Sequence, residues 1–166
     1  QWDPPRYRTA ADYLRQLREH LPDGRERARA AVLMADCYYL NGDFRNAASA
    51  YGTALMEADT GSLDKGPIVF QRVMAEIHNG NLESAISELN RAGGDPGIDP
   101  LQRWRAEWNL INQMKVVGRV EEAFDRVVTL LRQSEHSPIP SELRLRLMWL
   151  RAQLSIEADQ PGETPA

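Results

Sequence analysis

Apolar side chains along this 166-residue chain recur every three to four positions, the spacing of one face of a helix, and nowhere alternate convincingly as in a strand. Tyr51, Ala54 and Leu55 follow Ala47, Leu89 and Ala92 follow Ala85, and Val127, Leu130 and Leu131 follow Ala123. The pattern predicts an all-α chain of eight helices, over roughly 5–20, 25–40, 44–57, 67–79, 82–92, 100–116, 120–133 and 141–157. Asp3-Pro4 and Asp99-Pro100 each place a capping carboxylate before a proline suited to the first helical position, and Ser141 can cap the last helix. Between helices stand glycine turns or loops such as Gly93-Gly-Asp-Pro-Gly97 and Ser137-Pro-Ile-Pro140. The composition of 159–166 predicts a disordered tail after a repeat domain over 1–158.

A longer period runs through the helices. Gly42 to Ala47, Gly80 to Ala85 and Gly118 to Ala123 all read Gly-x-apolar-x-x-Ala, and the three glycines are 38 residues apart. Each glycine follows a helical stretch, where a left-handed residue closes the last turn at little steric cost. Each alanine lies on the face of the next helix that meets its neighbour, and a small side chain there lets two axes approach. The unit is thus a helical hairpin, with three full copies. Tyr7 to Ala10, continued by Leu14 and Leu17, matches Phe44 to Ala47, so half-repeats are expected at both ends.

These residues resemble the tetratricopeptide repeat family, whose usual period is 34 residues. Around Gly42 the match is close, with Ala35, Tyr38, Gly42, Ala47, Tyr51 and Ala54 where that family places small, aromatic or glycine residues. The second and third units depart from it, with Glu76 and then Met114 in the place of Tyr38. The resemblance implies a solenoid, a right-handed superhelix of stacked hairpins in which each unit touches only its neighbours. It also implies a groove lined by equivalent positions of successive first helices. Carried along the 38-residue period, these are Val32, Asp36 and Tyr39, then Phe70, Met74 and Ile77, then Trp108, Asn112 and Lys115, then Arg146, Leu150 and Gln153. Some members of the family clamp a peptide carboxylate with a lysine on these helices. Val32, Phe70 and Trp108 occupy its place here, so the implied ligand presents apolar side chains, with acidic groups near Lys115, Arg105 and Arg146. Phe70 and Ile77, and equally Trp104 and Trp108, fit either the core or that groove.

Composition narrows the functions. The formal net charge of −4 opposes nucleic-acid binding, which calls for a clustered positive field. No apolar run reaches the roughly 18 residues needed to insert across a membrane. Cys37 is the single cysteine, which excludes an internal disulfide and reads as a small core residue. His20, His78 and His136 sit at or just past predicted helix ends, where a cation suits the macrodipole, and Glu121, Glu122 and Glu142 sit at helix starts, where carboxylates do. No metal-ligand spacing, phosphate loop or catalytic constellation stands out, so neither an enzyme nor a cofactor or metal is expected.

The expected function is a scaffold module binding a protein or peptide in its groove, the alternative being a structural or self-associating segment of a longer solenoid without its own ligand. The last helix supports the alternative. It carries one apolar stripe at Leu143, Leu147, Leu150 and Leu154 and a second at Leu145, Met148, Trp149, Ala152 and Ile156. One stripe can pack on the preceding helices. The other calls for a covering element, so the chain, which begins at Gln1, is expected to be a piece of a longer array and to self-associate through this helix.

Overall fold

A computed structural model describes residues 6–58, 63–92, 99–135 and 139–159. They form eight α-helices and, among the described residues, no strand: α1 Tyr7–His20, α2 Arg25–Leu40, α3 Phe44–Ala58, α4 Lys65–His78, α5 Leu82–Ala92, α6 Pro100–Val116, α7 Val120–Gln133 and α8 Ser141–Asp159. The Asp3-Pro4 cap, the loop over 93–97, residues 137 and 138, His136 and the tail beyond Asp159 lie outside the described residues.

The three periodic glycines close α2, α4 and α6 by one device. Gly42, Gly80 and Gly118 have φ of +77°, +80° and +82°, a region that costs any residue with a Cβ. In each turn the glycine N–H donates to a carbonyl three residues back, on Tyr39, Ile77 and Lys115. The next N–H, of Asp43, Asn81 and Arg119, reaches five back, to the carbonyls of Tyr38, Glu76 and Met114 at 2.8–2.9 Å. These paired bonds satisfy carbonyls that the helix end would otherwise leave open. The chain then enters the second helix of the hairpin at once. At α4 the start is two residues earlier than the sequence predicts, because Asp64 caps it by accepting from the Gly66 N–H at 3.1 Å. Pro67 then falls within the first turn, where its missing N–H costs nothing.

The chain divides into two compact units, 1–99 with α1 to α5 and 100–166 with α6 to α8. In the first, packing is sequential, each helix against the next. Its core is built on alanine, with Ala11, Ala31, Ala35, Ala47, Ala48, Ala50, Ala54 and Ala75 buried around Met34, Tyr51 and Ile68. Small side chains leave little apolar area per residue, and one large group fills the space between α2 and α3. Tyr51 is buried with its hydroxyl donating to Asp36 at 2.5 Å. Burial and that carboxylate push the phenol pKa up, so it remains a donor. Cys37 is half-buried beside them as a free thiol, its pKa raised first by burial and then by Asp36.

In the second unit α6, α7 and α8 all touch one another, and the buried side chains are larger: Trp104, Leu110, Ile111, Met114, Val127 and Leu130, with Leu143, Leu147, Leu150 and Leu154 from α8. Ala47, Ala85 and Ala123 are each fully buried, as the motif predicts.

Candidate functional site

The predicted groove positions divide between the two units. In the first, Val32, Asp36 and Tyr39 on α2 and Phe70 and Met74 on α4 are half-buried, while Ala35, Val73, Ala75 and Ile77 beside them are buried. Ile77 is therefore core, not groove, since it shares the inward face of α4 with Val73. Asp36 is engaged within its own hairpin by Tyr51. That leaves Val32, Tyr39, Phe70 and Met74 as a set of apolar and aromatic side chains, each partly open to solvent.

At the turn end of these helices lies a ring cluster that the sequence reading did not single out. Tyr39 meets Phe44 edge-on at 5.3 Å and His78 at 5.8 Å, and His78 stacks on Phe44 at 4.9 Å. Three helices are tied together by these rings, since Tyr39 is near the end of α2, Phe44 opens α3 and His78 ends α4. Burial raises the Tyr39 phenol pKa. His78 does end a helix, yet its principal contacts are aromatic. The signal was legible only as a coincidence of three rings at one end of adjacent helices, which needs the hairpin geometry to be seen.

α3, α4 and the Gly80 turn border an open cleft of about 400 Å³ lined by Arg45, Ser49, Arg72, Glu76, Asn79 and Asn81 together with Ala48 and Met56. Glu76, in the place of Tyr38, is buried and accepts from the Asn81 side-chain amide at 2.8 Å, so a side-chain hydrogen bond braces the Gly80 turn. Arg72 crosses above Gly52, its guanidinium carbon 3.6 Å from where a Cβ would stand, and pairs with Glu88 of α5 at 2.8 Å. Glu88 is buried, and desolvation raises its pKa against the opposing pull of Arg72 and Arg91.

In the second unit Trp104 is buried and Trp108 half-buried, which assigns the first to the core. The polar groove candidates there are held by internal partners. The Asn112 side-chain amide donates to the Trp108 carbonyl at 2.8 Å, the Lys115 Nζ pairs with Glu157 at 2.7 Å, and Arg146 pairs with Glu142 at 2.7 Å. Gln153 is half-buried. Leu150 is fully buried and is not a groove residue, because α8 turns it inward with Leu143, Leu147 and Leu154. Arg105 and Arg146 line a small cleft of about 260 Å³ with Leu101, Pro140, Glu142 and Leu143.

Between α6 and α7 a second ion pair escaped the sequence reading. Glu107 is 2% exposed and takes two bonds from Arg126, Nε to Oε2 at 2.7 Å and Nη2 to Oε1 at 3.0 Å. Arg126 stands one 38-residue period after Glu88, so two successive hairpins use the same position with opposite charge.

Among the described residues no group of three or more His, Cys, Asp or Glu is placed to hold a metal ion, and no helix is long and apolar enough to cross a membrane. Comparison with protein-family models, curated proteins and solved structures gave no significant match.

Proposed function

We propose that this chain is a protein-binding scaffold of tetratricopeptide type, whose hairpins present an apolar and aromatic surface to a partner segment. The observation that carries this reading is one set of side chains in the first unit. Val32, Tyr39, Phe70 and Met74 come from equivalent faces of two successive first helices, and all four stay half-open while Ala31, Val73 and Ala75 beside them are buried. Val32, Phe70 and Trp108, one repeat apart, share this half-buried state. An aromatic surface of this kind is what partner anchors use, because rings contribute large contact area at little cost in conformational entropy. The expected ligand is an extended or helical segment with apolar side chains. Acidic groups of the ligand would sit near Arg105, which is exposed, while Lys115 pairs with Glu157 and Arg146 with Glu142.

The test replaces Tyr39 and Phe70 together by alanine and compares what the wild type and the variant retain from cells. The variant keeps its helicity by circular dichroism and loses specific partners. An unchanged set of partners on a folded variant removes these side chains from the binding surface.

A further inference from the structure

The cleft between α3 and α4 holds two charges of opposite sign that no ion pair among the described residues neutralises. Glu76 is 8% exposed, yet only its Oε2 is bonded, by the Asn81 side-chain amide, and its other oxygen takes no hydrogen bond among the described residues. Arg72 stands one turn earlier on the same face of α4 but does not serve it, because its guanidinium reaches across to Glu88 at 2.8 Å. The Arg72 Nε is itself buried without a hydrogen-bond partner. On the α3 side Arg45 is exposed and makes neither a hydrogen bond nor an ion pair among the described residues. A buried carboxylate with an open oxygen is costly until a donor meets it, and this one opens on a cleft of about 400 Å³, within the range of small-molecule sites.

The two charges select the ligand. An anion alone would meet Arg45 but lie near buried Glu76, and a cation alone would meet Glu76 but lie near Arg45. A molecule that carries both charges close together is complementary to both. The rest of the lining suits an apolar appendage, since Ala48 and Met56 flank Gly52, which has no side chain to fill the floor. We propose that this cleft binds a free α-amino acid with an apolar side chain, its ammonium on Glu76, its carboxylate on Arg45 and its side chain along Ala48 and Met56. By helical spacing Arg72, Glu76 and Asn79 lie on the other side of α4 from Phe70 and Met74, so this site is separate from the surface assigned to a protein partner.

Amide NMR spectra of the whole chain, titrated with L-leucine up to about 20 mM, test the site. The amides of Ser49, Gly52, Thr53, Asn79 and Gly80 are expected to shift saturably in the millimolar range. N-acetyl-L-leucine lacks the ammonium and L-leucinamide lacks the carboxylate, and each is expected to bind about tenfold or more weakly than L-leucine. Glu76→Gln keeps an oxygen for Asn81 and removes the preference over N-acetyl-L-leucine. Arg45→Gln, at an exposed position, removes the preference over L-leucinamide. Circular dichroism confirms that both variants remain helical, and the two analogues report on the wild type alone should Glu76→Gln unfold. Absence of shifts up to the highest concentration overturns the proposal, as do shifts confined to other parts of the chain. Binding of either analogue as tightly as L-leucine also overturns it, and tight binding of L-leucinamide alone assigns the cleft to a basic group instead.

Discussion

Removing Arg126 while leaving Glu107 in place is the sharpest perturbation of the second unit. The carboxylate is 2% exposed and both its oxygens are bonded by the guanidinium, at 2.7 and 3.0 Å. At an effective dielectric near 20, two unit charges about 4 Å apart attract by roughly 4 kcal/mol, and closer contact adds to that. Desolvating each ion costs several kcal/mol, so the intact pair contributes little net stability. Its deletion is another matter, because Arg126→Met keeps the desolvation of Glu107 and discards the attraction. The expected cost is about 3–5 kcal/mol. Replacing both partners, Glu107→Leu with Arg126→Met, removes the stranded charge and brings stability back to within about 1 kcal/mol of wild type. Urea unfolding followed by tryptophan fluorescence reads this directly, since Trp104, Trp108 and Trp149 all lie in the second unit. A single-variant cost below about 1 kcal/mol, or a double variant as unstable as the single one, would refute the reasoning.

Enlarging the buried motif alanines should overpack each helix crossing. Ala47→Leu, Ala85→Leu and Ala123→Leu are each expected to cost about 1–3 kcal/mol in thermal or urea denaturation, and three unchanged midpoints would contradict the packing. Glu88 supplies a pH signature. Its folded-state pKa is raised, so the native state holds the proton more firmly than the unfolded chain does. The associated stabilisation is complete below the unfolded carboxylate pKa and is lost as pH rises through the folded one. Glu88→Gln should abolish this component, so the stability difference between wild type and variant shifts toward the variant on going from acid to neutral pH. A difference independent of pH across that range would place Glu88 in water.

Much of the fold was legible because its punctuation is backbone chemistry. A left-handed residue is needed to close each first helix, and glycine is the residue that adopts it cheaply, so Gly42, Gly80 and Gly118 marked the turns. The buried alanines followed from the same period, and both faces of α8 followed from helical spacing. Side-chain pairing was less legible. Nothing in the spacing of Glu107 and Arg126 distinguishes a buried pair from two solvated charges, and the reversal at Glu88 hides the repetition. The carried-over groove failed at Ile77 and Leu150 for a related reason. A fixed register assumes that every first helix turns the same face outward, but α4 and α8 each turn the carried-over position inward among larger apolar neighbours.

The charge reversal has a consequence for how such a chain avoids assembling wrongly. Helical hairpins built on one motif share their turn and crossing residues, and during folding the first helix of one can meet the second helix of another. Here α4 carries Arg72 toward Glu88, and α6 carries Glu107 toward Arg126. Were α4 to take α7 as its mate, Arg72 would confront Arg126, and were α6 to take α5, Glu107 would confront Glu88. Each exchange sets two like charges together and separates both native pairs, a penalty that is greater at Glu107, which is 2% exposed, than at Arg72, whose side chain is 28% exposed. The reversed polarity thus works as a key that tells the two hairpins apart, so that each helix recognises the mate next to it in the chain.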